Sequence, residues 1–136
     1  MNYFLAKTDP DTYSIDDFER EHRTVWDGVT NAQAVRAIRT MRRGDRVFIY
    51  HSGGLSSIVG LAEVKSDPRD DPKQAKSAIV DLEFIGRIDP PVTLAEIKES
   101  RKFSDFALVR QGRLSTMAAP EKFVAWMRAR CPSARI

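Results

Sequence analysis

Short runs of apolar residues, bounded by turn-forming residues, predict a set of brief β-strands along this chain. The clearest run covers residues 46–51, and the glycine-rich loop after it indicates a hairpin to a partner strand at residues 58–64. Apolar residues also alternate over residues 78–88, where we expect a strand that ends at Pro90. A first strand is predicted at residues 3–7, because turn residues follow it directly.

Helices are predicted between these strands. Ser14, followed three residues later by Asp17, is a weak form of the capping box and predicts a helix that ends near residue 21. Asn31 is a second N-cap candidate, and the helical spacing of the apolar residues after it predicts a helix to about residue 42.

Two further helices are predicted towards the end of the chain. Thr93 and Glu96 form a capping box that opens a helix ending near residue 100. Pro120 is placed for the first turn of a last helix, which should run to about residue 130.

Three segments have no clear helix or strand pattern. Residues 25–29 indicate a turn, residues 67–76 a polar surface loop, and residues 106–109 a short buried element. Strands joined by a hairpin and separated by short helices predict one α+β domain over residues 1–136, with a mixed or antiparallel curled sheet.

Composition narrows the class of protein. The chain has 136 residues, of which 42% are hydrophobic and 30% charged, so a globular fold is expected. No apolar run approaches the roughly 20 residues of a membrane span, so we expect no membrane partner. The single Cys131 argues against disulfide bonds, including one to a partner, and the first residues lack signal-peptide features. A cytoplasmic location is therefore expected.

Residue types that catalyse reactions or bind metals are not arranged for either task. His22, His51 and Cys131 are scattered without metal-ligand spacing, so we expect no metal and no cofactor. His51 and Ser52 are neighbours on a predicted strand and should point to opposite faces, which is poor placement for a catalytic pair. These patterns favour a protein that is not an enzyme.

Binding of a flat, polar ligand has better support. Aromatic, hydroxyl, amide and cationic side chains bind nucleobases by stacking and hydrogen bonding. Such side chains occur here at Trp26, Tyr50, His51, Ser52, Arg110, Gln111 and Ser115. Each has an ordinary alternative: Trp26 as a core residue, His51 as a half-buried histidine and Gln111 as a residue that holds a loop.

The net charge of +3 permits an anionic partner without requiring one. Arginines are concentrated between Arg36 and Arg46. This cluster could attract phosphates or could be a solvated helix face, and a solvated face is the commoner role of such a cluster alone.

Six segments, in this order, resemble the EVE domain, a member of the PUA-like superfamily that is related to YTH domains. They are YFLAKTDP (3–10), YSIDD (13–17), WDGVTN (26–31), GDRVFIYHS (44–52), IVGLAEV (58–64) and ALVRQGRLS (107–115). Each segment is weak evidence alone, but six in order over nearly the whole chain make the resemblance specific.

The resemblance implies a small PUA-like pseudo-barrel, flanked by short helices, with one pocket. It implies a non-catalytic module that binds nucleic acid carrying a modified base, with modified cytosine in DNA as the leading candidate. The pocket residues implied are Lys7, Trp26, Asn31, Tyr50, His51, Ser52, Arg110, Gln111 and Ser115. The phosphate contacts expected beside it are Arg36, Arg39, Arg43 and Arg113.

Several alternatives stay open at this point. The same pocket could belong to a sensor of a free nucleotide or another anionic metabolite. A nuclease or base hydrolase that depends on His51 is the least supported alternative. The sequence does not distinguish DNA from RNA, nor does it determine the oligomeric state, for which a monomer is the expectation.

Overall fold

Strands and short helices alternate along the chain in the computed structural model, which describes residues 1–136. The strands are β1 (Tyr3–Thr8), β2 (Arg23–Trp26), β3 (Arg46–His51), β4 (Ser57–Val64), β5 (Arg69–Asp70), β6 (Ala78–Thr93) and β7 (Thr116–Ala119). The helices are α1 (Ile15–Glu21), α2 (Ala32–Thr40), α3 (Leu94–Glu99), α4 (Ala107–Arg110) and α5 (Glu121–Arg130). None of the five helices has the length and apolar character needed to cross a membrane.

The strands form one mixed sheet in the order β2-β6-β4-β3-β1-β7, with the short β5 paired to β6. Strands β1 and β3 are parallel, and every other pair is antiparallel. The parallel pair is possible because α1, β2 and α2 carry the chain back before β3 begins. The sheet curls without closing, which confirms the predicted α+β class with a mixed, curled sheet.

The core fills the inside of this curled sheet. A cluster of 35 buried hydrophobic residues extends through it. Phe123 of α5 is fully buried, and its ring centroid lies 4.7 Å from that of Phe106 and 5.1 Å from that of Phe103. In another part of the cluster, the ring of Phe18 in α1 packs edge to face with the ring of Phe84 in β6, with centroids 5.7 Å apart. Helices α1 and α5 are therefore held by aromatic contacts that contribute beyond area burial alone.

Helix starts follow the sequence signals closely. The Ser14 hydroxyl accepts the Asp17 N–H, and the Asp17 carboxylate accepts the Ser14 N–H, so the predicted capping box is confirmed. Thr93 caps α3 by accepting the Glu96 N–H at 3.1 Å. The Glu96 carboxylate pairs with Arg130 of α5 instead of returning to Thr93, so only half of that box forms.

Strand β6 continues past the point where it was predicted to end. It runs to Thr93, because Pro90 and its neighbour Pro91 lie in a bulge. Ile58 pairs with Val92 while Gly60 pairs with Arg87, so four residues of β6 face one residue of β4. Prolines are tolerated there because a bulge needs no ladder N–H from them.

Three more strands correct the sequence prediction. The two-residue β5 pairs with β6 inside residues 67–76, which were predicted as a loop. Residues 23–26, partly predicted as a turn, form β2 along the edge of β6, where Trp26 pairs with Val80. Thr116–Ala119, for which no strand was predicted, pairs with β1 as β7. Helix α2 ends at Thr40, two residues early, because the buried Asp45 carboxylate accepts the Arg42 N–H and holds a turn. Each difference comes from a partner distant in the chain or from a turn that outweighs the local pattern.

Candidate functional site

A cavity of about 460 Å³ lies where the end of β1 faces the end of β2. Its volume is in the range of small-ligand pockets. The lining residues are 7–9 at the end of β1, 12 and 13 after it, 24–29 around the end of β2, and 115 before β7. A second cavity of about 490 Å³, between the N-terminus, β7 and α5, contains none of the site residues predicted from the sequence.

Trp26 and Tyr13 form the aromatic wall of the first cavity. Their rings meet edge to face, with centroids 6.3 Å apart and planes inclined at 80°. The Tyr13 hydroxyl donates to Glu21 Oε1 at 2.8 Å, and burial is the main cause that raises the pKa of Tyr13 to about 12. Trp26 is only 7% exposed and also packs against Phe18 at 6.4 Å. It is therefore both a core residue and a cavity wall.

Lys7 places an ammonium group at the cavity. Its Nζ donates to the Gly112 carbonyl at 2.9 Å and lies 5.4 Å from the centroid of the Tyr50 ring. Its backbone N–H donates to the Ser115 carbonyl at 2.8 Å. Burial lowers the pKa of Lys7. These contacts hold the loop of residues 111–115 against β1, so Lys7 and Ser115 line the cavity together.

Tyr50, His51 and Ser52 lie beside the cavity but do not line it. Tyr50 is almost fully buried, and its burial raises the pKa of its hydroxyl. The His51 Nε2 accepts the Ile15 N–H at 3.0 Å, and the Ser52 hydroxyl donates to the Thr8 carbonyl at 3.3 Å. These side chains hold in place the elements that form the cavity.

Three other predicted site residues lie outside the cavity lining. The Asn31 Oδ1 accepts the N–H groups of residues 33 and 34, at 2.9 and 3.1 Å, and so caps α2. Arg110 ends α4 and Gln111 follows it; both are exposed, and neither side chain has a hydrogen-bond partner or ion pair. The structure thus brings together Lys7, Trp26 and Ser115 from the predicted set.

The four arginines predicted to contact phosphate fall into two groups. Arg39 pairs with Asp70 at 2.9 Å, and Arg43 pairs with Asp67 at 3.7 Å. Arg36 and Arg113 are exposed and form no ion pair. Of the four, only Arg36 and Arg113 have a guanidinium group without an acidic partner.

Sequence reasoning did not select Tyr13, Asp9 or Asp27, which all line the cavity. Each lies within a segment that resembles the EVE domain, so the signal was present in those segments. These residues were not selected because the local sequence at a strand end or in a turn does not show which side chains will face each other in the fold. No group of three His, Cys, Asp or Glu side chains is placed to hold a metal ion.

Comparison with known proteins identifies the family. The EVE domain family model matches residues 2–129. The chain belongs to the EVE domain family. Thymocyte nuclear protein 1 of Rattus norvegicus is 31% identical to this EVE domain, with 71% of this chain and 55% of the relative covered. The Homo sapiens protein of that name is 30% identical, with 71% and 56% covered. The chain thus spans about half the length of these curated relatives.

Solved structures share the fold of this EVE domain. A Rhodopseudomonas palustris protein superposes with a TM-score of 0.90 at 31% identity, covering 100% of this chain and 97% of the other. The human THYN1 protein, in a crystal structure with DNA that contains 5-methylcytosine, superposes with a TM-score of 0.88. Its identity is 21%, over 98% of this chain and 99% of the other, so this likeness concerns the fold.

Proposed function

We propose that this EVE domain binds DNA and holds a modified cytosine, turned out of the base stack, in the cavity between β1 and β2. The observation that carries the proposal is the cavity itself, which combines the aromatic wall of Trp26 and Tyr13 with the ammonium of Lys7. The solved complex of human THYN1 with 5-methylcytosine DNA supports it, because that protein has the same fold.

The cavity's aromatic wall can offset the cost of extracting a base. Turning a base out of a duplex costs a few kcal/mol. Stacking on an aromatic side chain returns roughly 1–3 kcal/mol per base. Stacking alone therefore comes close to balancing the cost, and hydrogen bonds to the base edge must supply the preference for one base.

Arginines near the cavity supply the attraction for the DNA backbone in this proposal. The bond from Lys7 to the Gly112 carbonyl holds the loop with Arg113 beside the cavity, and Arg110 precedes that loop. Both guanidinium groups are exposed and free of acidic partners. Such groups give salt-dependent phosphate binding without sequence preference.

The proposed role is binding without turnover. An enzyme that depends on His51 would need a free imidazole nitrogen at the cavity, whereas His51 Nε2 accepts a backbone N–H and the ring is not in the lining. Unchanged DNA after long incubation with the protein is the expected result, and cleavage or base release that requires His51 would contradict it.

Fluorescence anisotropy at two salt concentrations tests the proposal. The probes are DNA oligonucleotides, and RNA counterparts, that differ only in carrying cytosine or 5-methylcytosine at one position. We expect a preference for the modified DNA that persists at the higher salt, since contacts inside a pocket are screened less than phosphate contacts. Weak binding that ignores the modification and disappears with salt would contradict the proposal.

A competition arm separates this proposal from the sensor alternative. Free 5-methyldeoxycytidine monophosphate should compete poorly with the oligonucleotide, because it lacks the neighbouring phosphates that the exposed arginines would contact. Competition at equal affinity would support a sensor of free nucleotides instead.

A further inference from the structure

Two carboxylates line the cavity, those of Asp9 and Asp27, and only one of them accepts a hydrogen bond from the protein. Asp9 Oδ1 accepts the Asp11 N–H at 2.9 Å, and the Asp9 carbonyl accepts the N–H groups of Thr12 and Tyr13. Asp9 is therefore part of the turn after β1. The Asp27 carboxylate, which is exposed, has no hydrogen bond and no ion pair within the protein. Its carboxylate is an acceptor without a donor.

The position of Asp27 places it beside the aromatic wall. It follows Trp26 directly, at the end of β2, and is exposed while Trp26 is buried. A base packed against Trp26 presents its polar edge to the residues around that ring. Asp27 is therefore placed to meet the edge of the base.

The other polar groups of the cavity place a weaker requirement on the base. The Lys7 ammonium can only donate, and it already donates to the Gly112 carbonyl. The hydroxyls of Thr12, Thr24 and Ser115 can both donate and accept, so they suit either kind of base edge. An ionised carboxylate can only accept. Asp27 is the one lining side chain that can only accept and has no partner, so it imposes a requirement for a donor.

We infer that Asp27 determines which bases the cavity accepts, by taking a hydrogen bond from an exocyclic amino group. Cytosine carries this group at N4 and adenine at N6, whereas thymine has a carbonyl oxygen at the same place as N4. Thymine and 5-methylcytosine share the 5-methyl group, so the carboxylate would be what separates them. This inference rests on the proposed function of the cavity.

Single-stranded oligonucleotides that carry 5-methylcytosine, cytosine or thymine at one position test the inference, because no base pair has to be broken. The wild-type protein should prefer 5-methylcytosine over thymine by about 5- to 100-fold, the range for one good base contact. Asp27→Asn should reduce that ratio to about two-fold or less, because an amide can accept from N4 or donate to O4.

Asp11→Asn is the matched control. It removes the same charge from an exposed residue near the cavity that does not line it. This variant should keep the wild-type ratio, while any gain in affinity from the lost charge should appear in both variants. Thermal unfolding of both variants checks that the fold is intact.

The outcomes separate the two proposals. An Asp27→Asn protein that is folded and keeps the ratio of 5-methylcytosine to thymine overturns the inference alone, as does a wild-type protein that prefers 5-methylcytosine to cytosine but binds thymine equally well. A wild-type protein that treats 5-methylcytosine and cytosine alike overturns the proposed modified-base function, whatever the Asp27 variant does.

Discussion

The His51 imidazole is joined to the start of helix α1, because its Nε2 accepts the Ile15 N–H at 3.0 Å. An accepting nitrogen carries no proton, so the bond requires a neutral ring. Burial is the largest influence on the pKa of His51 and lowers it; Asp16 opposes this shift and Arg87 adds to it. The structure therefore depends on a histidine that resists protonation.

The pH dependence of stability should show this bond. A histidine whose pKa is lowered on folding stabilises the folded state fully when the pH is above the pKa of that histidine in the unfolded chain, about 6.5. This contribution is lost as the pH falls through the lower pKa of the folded state. We expect the melting temperature of the wild type, relative to His51→Gln, to fall between pH 7.5 and 5. His22→Gln, at the exposed second histidine, should follow the wild type, and a constant difference for His51→Gln would contradict the prediction.

Substitutions of Trp26 should separate its two roles. Trp26→Ala should lower the free energy of unfolding by about 3–5 kcal/mol, because it removes a side chain that is only 7% exposed and leaves a cavity in its place. Trp26→Phe should remain folded and bind modified DNA more weakly, since a smaller ring offers less stacking surface. Urea denaturation and anisotropy measure the two effects. Normal binding by a folded Trp26→Phe protein would assign Trp26 to the core alone.

Tyr13 should act through its ring. Tyr13→Phe removes the hydroxyl with its bond to Glu21 but keeps the ring, and it should change DNA affinity by less than about two-fold. Stacking on the ring is worth more, roughly 1–3 kcal/mol per base. Tyr13→Leu should therefore weaken binding clearly more than Tyr13→Phe does. Equal losses in anisotropy titrations would place the contribution in the hydroxyl, and no loss in either would remove Tyr13 from the site.

The salt dependence of DNA binding should identify the phosphate contacts. Arg113→Ala should lower the slope of log affinity against log salt by about one, because one phosphate contact is lost. Lys122→Ala removes the same charge from the exposed side of α5, away from the lining of the cavity, and should leave the slope unchanged. Equal slopes for both variants and the wild type would exclude Arg113 as a contact.

A side chain at Gly60 in β4 should destabilise the fold. A Cβ there would collide with Ile15 Cδ1 and lie 3.3 Å from the Gly86 carbonyl. Gly60→Ala should therefore cost about 1–3 kcal/mol in urea denaturation. Gly86→Ala is the matched control in the neighbouring strand, because a Cβ added at Gly86 would have no packing neighbour within 4 Å. Adding Ile15→Val to Gly60→Ala should recover part of the loss, and no recovery would place the strain elsewhere.

The amino-acid sequence alone determined the features that depend on near neighbours in the chain. Strand β3, the capping box of Ser14 and Asp17, and the start of α5 after Pro120 all follow from residues within a few positions of one another. The ordered segments also identified the EVE family, since a family pattern is itself a property of the sequence.

Only the tertiary structure decided what lies together from distant parts of the chain. Trp26 pairs with Val80, and Lys7 bonds to Gly112, through contacts that no local pattern indicates. These contacts create β2 and the cavity, bring Tyr13 and Asp27 into it, and leave residues such as Asn31 to cap a helix outside it. The physical reason is that a side chain's type sets what it can bind, while the curl of the sheet sets what it can reach.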